Sequence, residues 1–325
     1  MKKLRMLVGL AFLVAALMEG NAQGMDISGT LSSTLTIYEN SRLVGDVTCT
    51  MTDAPCIALG ASHIQLRLNG FTITGPANPP TGCVVPDPTL VEFLPGDGVW
   101  VQAGLDHVAI LGPGLVQRFA RHGIHIGDFG PGFSAPPAGT TTKVRVKGVT
   151  SSHNCFSGLQ LSFVSDSDIE ENVSMRNAIA SGSFPCGGNC VFQSPNNRIR
   201  RNVFGGNGLA VPNNDFGVGL TGLGSTGNVV EENAIVGNTN GVRISPGLGG
   251  NLVRRNIITG NPPVQLNVTF GAFGGVDILN LGPAGANAFE ENLCLTYSGP
   301  GPAPCPNIPK FAGHHNTSQA SSEAP

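Results

Sequence analysis

Asparagine recurs in this chain at intervals of five residues. Asn197, Asn202 and Asn207 form one triplet, Asn228, Asn233 and Asn238 a second, and Asn251, Asn256 and Asn261 a third. Asn287 and Asn292 repeat the first two positions, and Asn172 and Asn177 repeat the last two. Of 27 asparagines, 23 lie after residue 150, so the pattern belongs to the second half. Between them runs one template, N-x-Φ-x-x-N-x-Φ-x-x-N, with Φ mostly apolar. Its first apolar slot holds Ile169, Ile199, Val230, Val253 and Phe289, and its second Ser174, Phe204, Ile235, Ile258 and Cys294. Short apolar segments broken by turn-forming amides are strands rather than helices. The central residues Asn172, Asn202, Asn233, Asn256 and Asn292 are 30, 31, 23 and 36 residues apart. The shortest interval suits one coil of a solenoid, and the excess is loop insertion.

A second motif, Gly-Φ-x-Φ, follows each block. It reads Gly98-Val-Trp-Val, Gly123-Ile-His-Ile, Gly158-Leu-Gln-Leu, Gly217-Val-Gly-Leu and Gly241-Val-Arg-Ile. Asn189-Cys-Val-Phe and Pro263-Val-Gln-Leu read as degenerate copies. Three short strands per coil make a parallel β-helix of roughly 9–11 coils. Stacked asparagines hydrogen-bond up such a stack and tolerate the left-handed backbone of its turns. Charge gives an independent check. The pairs before the central asparagine are Glu170-Glu171, Arg200-Arg201, Glu231-Glu232, Arg254-Arg255 and Glu290-Glu291, alternating in sign. Equivalent positions of parallel strands lie about 4.8 Å apart. Opposite charges there attract by roughly 0.2–1 kcal/mol per pair. The alternation therefore fits one repeat per coil, in register, as an exposed structural ladder.

The first half is less regular. Ile64, Leu66 and Leu68, then Val108 and Ile110, then Val144 and Val146 alternate before turns. Residues 23 to about 60 are expected to form an N-terminal cap over the open strand edges. Lys2, Lys3 and Arg5 precede the apolar run Met6 to Met18, with a small-residue cleavage site at Gly20-Asn21-Ala22. This is the pattern of a secretory signal peptide. The expected organisation is a signal peptide at 1–22, one β-helix domain at 23–309 and a flexible tail at 310–325, in a secreted or periplasmic protein. Eight cysteines suit that compartment. Three local disulfides are expected, Cys49–Cys56, Cys186–Cys190 and Cys294–Cys305. Cys83 and Cys155 remain by subtraction. A zinc site at Cys186-Gly-Gly-Asn-Cys190 would need two further ligands. With 46 Gly and 24 Pro in 325 residues, a helical bundle is disfavoured. A net charge of −3 with no basic block argues against a nucleic-acid partner.

These blocks and strands resemble the right-handed parallel β-helix superfamily, which includes pectate-lyase-like proteins. The resemblance runs from about Ile64 to Asn292. It implies an all-β solenoid and, for many members, lyase, hydrolase or epimerase activity on acidic polysaccharides, with sugar bound along one exposed sheet. Other members are adhesins. The catalytic signatures of the superfamily do not carry over. Arg121-His122-Gly123 and Ser152-His153-Asn154 are present, but no Asp-Asp pair and no Asp-Pro-His-Asp.

The x of Gly-Φ-x-Φ points away from the core. This predicts a binding stripe of Trp100, His125, Gln160, Phe192, Gly219, Arg243 and Gln265. His125 and Arg243 are four coils apart, about 19 Å, and share no reacting atom. Two tighter clusters remain. One joins Arg121, His122, His125, Asp128 and His153 as catalytic candidates, and the other pairs Asp215 with Arg243. A histidine moves a proton near neutral pH. Arg121 would neutralise a uronate carboxylate, and Asp128 would orient an imidazole or help bind a cation. That chemistry is β-elimination or C5-epimerisation of a uronic acid polymer. No cofactor is fixed by the sequence, and calcium is the candidate, through Asp166-Ser-Asp168. The alternatives are a non-catalytic surface or adhesion solenoid, and a periplasmic metal-handling protein using histidines for copper or zinc. The protein is expected to be a monomer with a polysaccharide partner and no membrane association after signal cleavage.

Overall fold

The computed structural model describes residues 24–77, 83, 96–129, 134–179, 187–208, 216–261 and 275–305. The expected signal peptide and tail lie outside them. Among the described residues every named element is a strand, and no helix is long and apolar enough to cross a membrane. All strand pairs are parallel, and they build a parallel β-helix with three faces.

Sheet 1 stacks Leu66, Ile110, Val146, Ile169, Ile199, Val230, Val253 and Phe289 in register. Sheet 2 stacks Val47, Ile73, Val116, Ser151, Ser174, Phe204, Ile235, Ile258 and Cys294. The two apolar slots of the repeat are therefore the inward positions of two faces. Sheet 3 has ten strands, from Leu35–Ile37 to Tyr297–Ser298, one per coil. Its inward rows, such as Val99, Ile124, Leu159, Val218 and Val242, complete one continuous core. In the early coils sheets 1 and 2 merge, because Ser41–Cys49, Ala109–Gln117 and Arg145–Ser152 each run through both. The bend in the last of these falls between Lys147 and Val149, where Gly148 has φ +69°. From Asp168 onward the central asparagine interrupts the strand and each coil carries separate short strands. The segment expected to cap the stack is itself made of coils. Met25–Leu31 and Leu35–Ile37 form the first rung, and Ser41–Cys49 and Ile57–Leu59 the second.

Three asparagine ladders run inside the corners. In the central one, Asn233 Oδ1 accepts from the backbone N–H of Asn202 at 2.9 Å and from its Nδ2 at 3.0 Å. Asn233 Nδ2 donates to the Ile199 carbonyl at 2.9 Å and to Asn256 Oδ1 at 2.9 Å. The same bonds link Asn172 to Asn202 and Asn256 to Asn292. Each buried amide is thereby satisfied at both ends, which is the condition for burying it without penalty.

The charge ladder forms with the expected pairing, but two of its carboxylates are not exposed as expected. Glu170 is ion-paired with Arg145, Lys147, Arg200 and Arg201, and Glu231 with Arg198 and Arg254. Both carboxylates are buried. Burial alone would raise them, but hydrogen bonds and charge from these arginines hold both below the usual range. The second member of each pair, Glu171, Arg201, Glu232, Arg255 and Glu291, takes the left-handed turn position.

Cys49–Cys56 and Cys294–Cys305 are bonded as expected, and Cys83–Cys155 forms a third bridge. The expected Cys186–Cys190 bridge does not form. Cys190 is a free, buried thiol, its Sγ 4.0 Å from Thr221 Oγ1. The ladder holds it as the rung between Gln160 and Gly219, and Cys186 lies outside the described residues.

Replacing Asn233 by Ala removes an acceptor from two Asn202 donors and a donor from Ile199 and Asn256. Unsatisfied buried groups cost about 1–3 kcal/mol each. Chemical denaturation is expected to show a loss of at least about 2 kcal/mol, while a surface change such as Glu291→Gln stays within about 0.5 kcal/mol.

Candidate functional site

Sheet 3 carries the outward row. Trp100, His125 and Gln160 stack in register, followed by Cys190, Gly219, Arg243 and Leu279. One expected member is displaced. The motif copy is Gly188-Asn189-Cys190-Val191, so Cys190 occupies the outward slot and Phe192 pairs with Ser162 and Thr221 one step along. Asn189 takes an apolar inward slot between Leu159 and Val218 and is buried. Gln265 lies outside the described residues, as does Asp215, and Leu279 follows Arg243 in the row. Of the loops expected to wall the stripe, 76–97, 178–189 and 208–216 fall largely outside, while 127–142 is described except for 130–133.

The row points away from the core as predicted, yet its middle is covered. His125, Gln160 and Cys190 are all buried. The Phe216 ring lies over Gly219, where an added Cβ would meet it at 1.7 Å, so only glycine fits. The Arg243 guanidinium sits 5.8 Å from that same ring centroid. Trp100 is half-buried, and its indole N–H donates to the Gly127 carbonyl at 2.9 Å.

A polar network forms where consecutive coils stack. The segments around Gly98 and Gly123 run side by side through Gly98 N to His122 O and Arg121 N to Gly96 O. This sets Asp97 beside His122. Asp97 Oδ1 accepts from the His122 backbone N–H at 3.0 Å, and Oδ2 from Arg121 Nη1 at 3.3 Å. Asp97 Oδ2 also lies 3.1 Å from His125 Nδ1. The other imidazole nitrogen, Nε2, is 3.1 Å from Ser162 Oγ. Gln160 Nε2 donates to that same hydroxyl at 3.1 Å. One tautomer satisfies the chain. Nδ1–H donates to Asp97, Nε2 accepts the Ser162 proton, and Ser162 oxygen accepts from Gln160. His122 Nδ1 accepts from the Ser157 N–H at 3.2 Å.

Burial would raise the Asp97 carboxyl, but Arg121, His125 and His122 together hold it well below the usual carboxylate range. Burial is also the main cause that keeps His122 far below the ordinary histidine value, with Arg121 and His125 adding to it against Asp97. Asp97, His125 and Ser162 follow the order in which a carboxylate orients an imidazole and the imidazole activates a hydroxyl. Here His125 is 1% exposed and Ser162 0%, so in this conformation the network is sealed from a polymer.

Two of the expected catalytic residues stand elsewhere. Asp128 accepts from the next backbone N–H, of Phe129, at 2.8 Å and closes its own turn. His153 lies at the corner between sheets 2 and 3. The register Gln117, Ser152, Met175 places Arg118, His153 and Arg176 on successive coils, each with left-handed φ. Partial burial, then Arg176 and Arg118, lower the His153 value. At the opposite edge of sheet 3, half-buried Phe192 meets Phe129 edge-on at 5.2 Å and Phe163 at 5.9 Å.

Asp97 and Ser162 went unpredicted. Asp97 directly precedes a Gly-Φ-x-Φ glycine, in the same slot as His122 and Ser157, and that slot repeated along the sequence is the signal that locates it.

His122 and Asp97 share one sign. Each folded value lies below its unfolded one, so the stabilisation is present above the unfolded value and lost as pH falls. Below the ordinary histidine value of 6.5 the unfolded chain gains a proton at residue 122 that the folded chain refuses. Stability is therefore expected to fall between pH 6 and 5 through this residue. Denaturation at the two pH values checks this, and His122→Gln is expected to flatten that dependence.

No curated protein sequence matches this chain. Among solved structures, the enzymatically active domain of bacteriophage CBA120 tailspike protein 2 is similar at a TM-score of 0.46 and 13% identity, covering 83% of this chain. This chain spans about two fifths of that tailspike chain, 39%. Endopolygalacturonase I of Stereum purpureum is similar at a TM-score of 0.42 and 13% identity, over 86% of this chain and 87% of that one. The A-module of the mannuronan C-5 epimerase AlgE4 of Azotobacter vinelandii gives a TM-score of 0.39 and 12% identity, over 86% and 88%. The family described as the right handed beta helix region matches residues 116–283, more than half of the 325 residues. With its parallel three-faced stack and asparagine ladders, the chain belongs to the right-handed β-helix family.

Proposed function

We propose that this chain is an exported β-helix protein that binds an acidic polysaccharide along the corner formed by Arg118, His153 and Arg176. The observation that carries this reading is the row itself. Two arginines and a histidine repeat at the coil spacing, about 4.8 Å, and the charges that act on His153 are those of Arg176 and Arg118, with no carboxylate among them. Along sheet 1, by contrast, Arg145, Arg198, Arg200, Arg201 and Arg254 are each ion-paired with Glu170 or Glu231, so a row of cations without carboxylates is a place for an anionic partner. Beyond Arg176 the corner continues as Gly206, Gly237 and Gly260, which leave the surface clear of side chains. Phe129, Phe163 and Phe192 offer apolar ring surface at the other edge of the same sheet. Three disulfides and the signal-peptide pattern support export.

Modification of the polymer, by β-elimination or C5-epimerisation, is the second reading. The Asp97–His125 hydrogen bond favours it, because it leaves Nε2 as a positioned proton acceptor. Arg121, expected to neutralise the uronate, is instead tied to Asp97. The burial of the network supports binding without chemistry.

Purified protein is expected to bind polygalacturonate or alginate, and to lose that binding with rising salt. Arg118→Glu with Arg176→Glu is expected to weaken binding at least about tenfold, equivalent to 1.4 kcal/mol, with no change in thermal stability. Equal binding to a neutral glucan would defeat the proposal. New unsaturated uronates or C5 proton exchange, abolished by His125→Ala in a folded variant, would establish the second reading.

A further inference from the structure

A separate cluster lies at the corner that leads into sheet 1. His63 and His107 occupy the same turn position on consecutive coils, just ahead of Gln65–Arg67 and Ala109–Gln117. Both have left-handed backbones, with φ of 61° and 54°. Their rings stack with centroids 4.8 Å apart and 14° between planes. Asp106 stands between them. Its Oδ2 is 2.7 Å from His107 Nδ1 and 3.8 Å from His63 Nε2. The Asp106 backbone N–H is held by Ser62 Oγ at 3.0 Å, which anchors the carboxylate's residue. All three donor atoms lie within 4.8 Å of one another. The side chains are 70%, 46% and 41% exposed for His63, His107 and Asp106, so an ion reaches them directly from solvent.

We propose that His63, Asp106 and His107 form a surface binding site for one divalent transition-metal ion, zinc or copper. Two imidazoles and one carboxylate are a donor set suited to zinc, copper or nickel rather than to calcium, which takes six to eight oxygens. Donors about 2.0–2.2 Å from a tetrahedral ion stand about 3.3 Å from one another. The separations of 2.7 and 3.8 Å bracket that value. Exposed side chains close the difference by rotating, with no backbone movement. Three protein donors leave the remaining coordination position open to water or a further ligand. One coil on, the corner residue is Lys143, a cation, so the donor row ends and the site holds a single ion.

The test is calorimetric titration of the folded protein with Zn2+ and with Cu2+. His314→Ala and His315→Ala are introduced first, because the two tail histidines would bind metal on their own. One equivalent is expected, with no competition from excess Ca2+. His63→Asn and His107→Asn keep residues that tolerate left-handed backbone. Each is expected to weaken binding at least about tenfold, in line with the loss of a metal-site contact, and the double variant to abolish it. In NMR spectra, Cu2+ is expected to broaden the ring signals of His63 and His107 before those of His153. Absence of binding, or affinity and stoichiometry unchanged in the double variant, would overturn the proposal.

Discussion

The amide-to-amide hydrogen bond between coils is the interaction on which this structure depends. A corner that turns a strand inward exposes backbone groups to the core, where water cannot serve them. Asparagine supplies an acceptor to the coil on one side and a donor to the coil on the other, and a further donor to a nearby carbonyl. Because each amide is bonded to equivalent amides, the ladder fixes register as well as satisfying polarity. A slip of one residue would break every rung, and it would also turn the apolar slots outward.

Register then decides which side chains can meet. Asp97, His122 and Ser157 form one row and Trp100, His125 and Gln160 the next, because coils stack in phase. The same phase brings Arg118, His153 and Arg176 together at one corner and His63 and His107 at another. These three groups differ in what surrounds them. The Asp97 network is buried, and opposite charges balance within it. The arginine corner is exposed and unbalanced among the described residues, and the histidine pair is exposed around a single carboxylate. Recognition of a charged partner falls to exposed, uncompensated groups, while a sealed and internally paired network chiefly stabilises.

The repeat of asparagines and apolar slots made the architecture legible before any coordinates. The coil interval, the in-phase stacking and the alternating Glu and Arg pairs are all periodic signals, and local periodicity is what a solenoid is made of. The local pairs Cys49–Cys56 and Cys294–Cys305 were legible for the same reason. Cys190 was not. It belongs to a strand whose phase starts at Gly188, so the outward slot beside Gln160 falls on Cys190, two residues before Phe192.

By itself, then, the sequence determined the all-β class, the parallel stack, the three-faced coil and the charge ladder, because each is a nearest-neighbour property repeated along the chain. Only the tertiary structure decided what lies over the outward stripe. His125 and Gln160 point away from the core on local grounds, yet they are buried. It also separated His153 from His122 and His125, and revealed Asp97 and Ser162 as the partners of His125. Asp97 and Phe216 share the slot ahead of the Gly-Φ-x-Φ glycine, but that one turns in to His125 and the other lies over Gly219 is decided by packing between coils. Where the period is kept, sequence spacing translates directly into space. Where it is broken, only the folded chain settles which side chains meet.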